Sequence, residues 1–292
     1  MIQLSNGHRF EYMVASGALA YDGRGWPWEW PLRWTGLIDP KRFTIVTKTL
    51  TPKPRRGNLR WSHPWSVIAN TPNGVANAIG LTNPGFDWWL KSVAPKIAHR
   101  GYDMVCSIMA DDVATISTMS ERLSKTDIRA IELNASCPNT DKELLENASA
   151  VIDMVRAMHA ASKHPIILKL SVVHNYVEIA KACEGLVEAV SINSVPWSVA
   201  YPGQPSPLAR FGGGGVSGKA AQPWTWKMVR ELATSTSIPV IGPGVWDYTD
   251  MARLRELGAK AVSFGSIFLR YPWRPTAYVK REAITNPSSP SR

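Results

Sequence analysis

The feature that most limits what this chain can become is an alternation. Eight short runs rich in β-branched and apolar residues recur along it, at 12–16, 43–48, 104–109, 130–135, 166–171, 189–194, 239–242 and 261–265, and each ends in small or polar residues. Between most of them lie stretches with apolar residues at helical spacing, at 86–100, 143–161, 176–184, 223–233 and 249–257. Strand followed by helix, repeated, marks parallel βαβ units. Eight such strands in 292 residues favour an α/β fold closed into a (β/α)8 TIM barrel over an open sheet. Residues 1–285 read as a single barrel domain and 286–292 as a flexible tail.

Two stretches break the alternation. Residues 50–85 are rich in Pro, Gly, Trp and Asn with little helical period, and residues 195–218 carry four consecutive glycines at 212–215. Both read as loops inserted at the C-terminal face of the strands. Long connections without regular structure are uncommon and usually functional. A third segment, GWPWEWPLRW at 25–34, reads as a packed loop cap, with a subunit contact as the alternative.

Bulk composition removes several classes. Apolar content of 45% and charged content of 19% are those of a globular protein. No apolar run approaches the ~20 residues that span a bilayer, and the first residues lack the basic-then-apolar layout of a secretory signal. Three scattered cysteines, Cys106, Cys137 and Cys183, make neither a disulfide framework nor a metal site, so a reducing cytoplasm is expected. The net charge of +10 is spread along the chain and reads as a solvated basic surface. Neither a nucleic-acid nor a membrane partner is expected.

In a barrel of this kind chemistry lies at the C-terminal ends of the strands. Ser16, Lys48, Asn134, Lys169, Asn193, Gly242 and Gly265 all sit at or just past the end of an apolar run. Two lysines at equivalent ends would face one mouth and attract an anion. The peptide NASCPN at 134–139 places Cys137 before a proline, in a turn, flanked by the amides of Asn134 and Asn139. Its thiol would serve as nucleophile or general base. Nearby lysines would lower its pKa from the reference value of ~8.5. Cys106 and Cys183 read as inert small hydrophobes.

Taken in order, VASG (14–17), TKTLTPKPRRGN (47–58), NAIGLTNPG (77–85), NASCPN (134–139), LKLS (168–171), INS (192–194), GGGVSG (213–218), IGPG (241–244) and FGS (264–266) resemble the class 1, cysteine-type dihydroorotate dehydrogenases over nearly the whole chain. The resemblance implies FMN as cofactor and dihydroorotate and orotate as substrate and product, in pyrimidine biosynthesis. It implies Cys137 as the base for the C5 proton while C6 gives hydride to flavin N5. Lys48, Asn77, Ala78, Ile79, Gly80, Leu81, Asn134, Asn139, Asn193 and Ser194 would form the substrate pocket. Lys169 would stand beside the flavin N1/O2 edge. Ala15, Ser16, Lys48, Thr49, Asn134, Ile192 and Gly218 would line the flavin, and Gly244, Val245, Gly265 and Ser266 would hold its phosphate through backbone N–H groups. Homodimerisation is a family expectation, and family members pass electrons to fumarate, to NAD through an iron–sulfur flavoprotein subunit, or to other acceptors.

The chain also departs from the family pattern. Gly244-Val245 stands where two adjacent glycines are usual, so valine would be strained if that position needs a positive φ. The segment after Asn139 is shorter than usual. An oxidoreductase for another dihydropyrimidine is the sister reading. A tRNA-dihydrouridine synthase would share barrel, FMN and cysteine, but no C-terminal helical RNA-binding domain is evident and the cysteine context is SCPN.

Overall fold

A computed structural model of the chain describes residues 1–135 and 148–285. All eight expected strands form: β1 (Tyr12–Val14), β2 (Thr44–Val46), β3 (Asp103–Ile108), β4 (Ala130–Asn134), β5 (Ile166–Leu170), β6 (Ala189–Ile192), β7 (Ile241–Gly242) and β8 (Ala261–Phe264). Neighbours pair in parallel in the order β6-β5-β4-β3-β2-β1-β8-β7. A parallel bridge between Val190 and Val240 joins the two ends and closes the barrel. The fold is the (β/α)8 TIM barrel that the alternation predicts.

Side chains alternate across a strand, and the barrel interior is therefore layered. The floor takes one residue from each strand: Met13, Val46, Val105, Ala130, Ile167, Ala189, Ile241 and Ala261. An N-terminal hairpin, Ile2–Gln3 paired with Arg9–Phe10, plugs this end with Ile2, Leu4 and Phe10. Intervening positions such as Ile131 and Leu133 face outward into the larger cluster under the helices. Deleting a large floor side chain would cost roughly 2–5 kcal/mol.

The helices differ from expectation in instructive ways. Residues 86–100 form not one helix but Phe86–Ser92, a 3-10 turn Ala94–Lys96 and Ile97–Arg100. Pro95 lacks the N–H that a continuous helix needs. Val113–Leu123 is a helix the spacing did not reveal, because Ser and Thr interleave its apolar positions. It buries Ile116, Met119, Ser120 and Leu123 on one face and is capped by Asp112, which accepts from Thr115 N at 2.7 Å. The helix expected at 143–161 is described as Ala148–Ala161, its first residues lying outside the described part.

The two interruptions are insertions at the mouth, as expected, and each also contains short strands. Strands Ile68–Thr71, Gly74–Asn77, Gly215–Gly218 and Val195–Pro196 make one antiparallel sheet over the barrel mouth. Asn73, at φ 59, makes the hairpin turn between the first two. The sheet itself is not visible in the sequence, because its pairings join segments far apart in the chain. Gly215 pairs with Asn77 and Gly218 with Gly74.

Candidate functional site

Two residues beyond the floor along each strand, the same inward face carries Ala15, Lys48, Ser107, Glu132, Lys169, Ser191, Pro243 and Ser263. Six of these eight are polar, where the floor is apolar throughout. Ser107 lies opposite Glu132, and Lys169 lies opposite both Asn134 and Ser191. Lys169 Nζ stands 3.6 Å from Glu132 Oε1, with both side chains buried. The Glu132 oxygens accept from Ser107 Oγ at 2.8 Å and Ser191 Oγ at 3.0 Å. The network continues upward. Ser107 Oγ meets Thr49 Oγ1 at 2.9 Å, Asn134 Nδ2 donates to Thr49 Oγ1 at 3.0 Å, and Ser16 Oγ lies 3.0 Å from Thr49 Oγ1. Ser16, Thr49 and Asn134 are thus fixed by one another.

Above this layer opens a cavity of about 500 Å³, a size usual for small-molecule sites. Every residue expected to hold substrate or cofactor in the described part lines it, whereas Gly242 packs against Leu254 and Ala259 instead. From the strand ends come Ala15, Ser16, Lys48, Thr49, Asn134, Lys169, Ile192, Asn193 and Ser194. The cap sheet supplies Asn77 and Gly218, the turn after its second strand supplies Ala78, Ile79, Gly80 and Leu81, and the segments just past the last two barrel strands supply Gly244, Val245, Gly265 and Ser266. Among the described lining residues there are two ammonium groups and no carboxylate. The mouth is therefore electrically suited to an anion. Cys137 and Asn139 lie outside the described residues.

Local backbone chemistry holds these walls. Asn58 donates from its side chain to Ala78 O at 2.9 Å and from its backbone to Ile79 O at 3.0 Å, fixing the segment that carries Asn77. Leu81 sits at φ 57, a conformation costly for a branched side chain and held by this surrounding lattice. Gly214, at φ +78, passes so close that a Cβ would lie 2.6 Å from Asn77 O. At Gly215 a Cβ would lie 2.3 Å from Ser194 Oγ. The glycine run is therefore what lets Asn77 and Ser194 share one wall. The feared strain at Val245 is absent. Gly244 alone takes the positive φ of 83, and Val245 is buried in the core.

Sequence reading missed two sets of residues. Glu132, Ser107 and Ser191 were legible only as period-two partners of Lys48 and Lys169, once the floor was known. The aromatic wall was harder to see. Trp26 and Trp28 stack at 5.6 Å, Trp26 meets Tyr21 and Trp61, and Trp28 meets Trp65. Trp26, Trp28 and Trp65 line the cavity from one side and Trp197 and Tyr201 line it too. The 25–34 segment is thus a packed cap, as expected. It also leaves Trp28 and Trp34 exposed, with Trp61 and Trp65 beside the stack. Cys106 and Cys183 are buried free thiols whose pKa burial pushes up, to about 11 for Cys183.

The fold and the site together define an α/β-barrel enzyme whose mouth, among the described residues, carries two ammonium groups and several carboxamides. A family model described as dihydroorotate dehydrogenase matches residues 37–277, and the chain belongs to that family. Among similar proteins is a Bacteroides thetaiotaomicron chain named dihydroorotate dehydrogenase B (NAD(+)), catalytic subunit. It is 31% identical over 263 residues, covering 87% of this chain and 82% of the relative. Chains of the same name from Anoxybacillus flavithermus and Streptococcus pneumoniae are 30% and 33% identical. These cover 87% and 79% of this chain and 80% and 76% of the relatives. No helix among the described residues is long and apolar enough to cross a membrane.

Proposed function

We propose that this chain is a cysteine-type, class 1 dihydroorotate dehydrogenase that oxidises dihydroorotate to orotate in pyrimidine biosynthesis, with FMN as its cofactor. The observation that carries the reading is the cavity itself. Among the described lining residues, two ammonium groups, several carboxamides and no carboxylate converge above a sealed apolar floor, in a chain of this family.

The donor set fits FMN. Small residues Ala15, Gly17 and Gly265 leave room for a flat ring on one wall, and glycine-rich turns at Gly244 and Gly265 bring backbone to the cavity for a phosphate. Bound there, FMN supplies the acceptor for the substrate's C6 hydride. Lys48 would pair with the substrate carboxylate. Asn77, Asn134, Asn193 and Ser194 would hold the ring amides, oriented by the Thr49 and glycine contacts described above. Cys137 would take the C5 proton, and Asn139 would complete the amide set. Ile192 and Gly218 would flank the cofactor, with Val245 and Ser266 beside its phosphate.

The electrons then need an exit, and the relatives' names include the word subunit. An electron-transfer partner is part of this reading. The exposed Trp28, Trp61 and Trp65 adjoin the cavity mouth. The segment 52–60, which follows β2 on the mouth side, carries Lys53, Arg55, Arg56 and Arg60 and not one Asp or Glu. An aromatic, uniformly basic face of this kind suits an acidic protein.

The test is direct. Purified protein reconstituted with FMN is expected to show the absorbance of oxidised flavin, and dihydroorotate is expected to bleach it without oxygen. Dihydrouracil, which lacks the carboxylate facing Lys48, is expected to bleach it far more slowly. A colourless protein after reconstitution ends the reading. Equal rates with both compounds would instead move the substrate to an uncharged dihydropyrimidine.

A further inference from the structure

The second layer of the barrel contains one acid, and the roles assigned above leave it unused. Glu132 is completely buried at the centre of β4 and is not part of the cavity wall. Elements on either side face it with Ser107 from β3, Lys169 from β5 and Ser191 from β6, at the distances given above. Thr49 reaches it through Ser107, and the Cys106 thiol on β3 lies within its field. A buried carboxylate persists only with a cation and donors for its oxygens. Glu132 has both. The reciprocal consequence falls on Lys169, whose ammonium lies at the cavity floor with a carboxylate behind it. A lone cation and an ion pair differ in reach, because the field of a pair falls off more steeply than that of a single charge.

We propose that Glu132 is a positioning residue that anchors the Lys169 ammonium from below and offsets much of its charge, so that a bound flavin meets an ion pair and not a bare cation. This rests on the FMN reading above. A bare cation at the ring edge would favour the negatively charged, reduced ring strongly, and the pair favours it less. Glu132 thereby sets how readily the cofactor accepts hydride without touching it.

The experiment compares the wild type, Glu132→Gln, Lys169→Met and the double variant, each as the FMN holoprotein. Glutamine keeps the volume, and the serine hydroxyls on either side can donate or accept. Two readouts follow the charge: the two-electron reduction potential, and the affinity for sulfite, whose addition leaves negative charge on the flavin ring. Glu132→Gln is expected to tighten sulfite binding about tenfold and to raise the potential by the equivalent, about 30 mV for a two-electron couple. Lys169→Met is expected to move both readouts the other way. Added to Lys169→Met, Glu132→Gln is expected to change neither, because the anchored ammonium through which Glu132 acts is gone. Unchanged sulfite affinity and potential in Glu132→Gln, or the same shift in both backgrounds, overturns the proposal, as does a loss of thermal stability alone. A protein that holds no FMN defeats the functional reading. One that holds FMN and is bleached by dihydroorotate, yet ignores Glu132→Gln, defeats only this inference.

Discussion

Glu29 offers the sharpest test of how this structure stores electrostatic cost. It ends the 3-10 turn Pro27–Glu29 in the tryptophan-rich segment and is 2% exposed. One carboxyl oxygen accepts from Trp26 N at 2.7 Å, and the other, Oε1, has no partner. Burial raises its pKa from the ordinary 4.5 to about 7, against the smaller opposing effect of the Trp26 hydrogen bond. At ~1.36 kcal/mol per pH unit, that gap makes the ionised form about 3 kcal/mol costlier in the folded state. The protonated form is the one the fold tolerates. Stability from this group is therefore complete below pH 4.5 and is lost as pH rises through about 7. Glu29→Gln mimics the protonated form at every pH. Urea unfolding of both proteins at pH 4.5, 5.5, 6.5 and 8 is the assay. The variant is expected to match the wild type at the lowest pH and to exceed it by about 3 kcal/mol at the highest. A difference between the two that stays level across that range would refute the reasoning, because a packing effect has no such dependence.

His174 is expected to tilt the opposite way. Burial lowers its pKa from 6.5 to about 4, so the folded state resists its protonation and stability is lost as pH falls between those values. His174→Gln should gain on the wild type by about 3 kcal/mol over that window in the same unfolding series. Gly214→Ala, which forces a Cβ against Asn77 O at a left-handed φ, is expected to lose about 1–3 kcal/mol of stability. It is also expected to weaken orotate binding by displacing Asn77, read by thermal unfolding and by orotate titration of the flavin spectrum. Cys137→Ala is expected to keep FMN and to slow flavin reduction by dihydroorotate roughly 10²–10⁴-fold, measured by stopped flow. Unchanged reduction would remove Cys137 from the base role.

Much of the site was legible because a barrel strand writes its function at a fixed place. Lys48, Asn134, Lys169 and Asn193 were found by asking which polar residues end apolar runs, and all four line one cavity. The glycines were legible too, since a run of four at 212–215 has few uses apart from close backbone approach. What stayed hidden was pairing. Lys169 read as a lone cation, yet its companion Glu132 comes from a different strand, 37 residues earlier by the numbering. The cap sheet stayed hidden for the same reason, as did the aromatic wall that brings Trp65 onto Trp28.

The sequence by itself determined the eight strands and the polar residues at the mouth. All of these follow from period-two and period-3.6 patterns within a few residues of chain. Only tertiary structure decided which strand meets which across the cap, which charge answers which inside the barrel, and that Val245 is spared a left-handed backbone. Those outcomes depend on distances between segments far apart in the chain, and local periodicity carries no record of them.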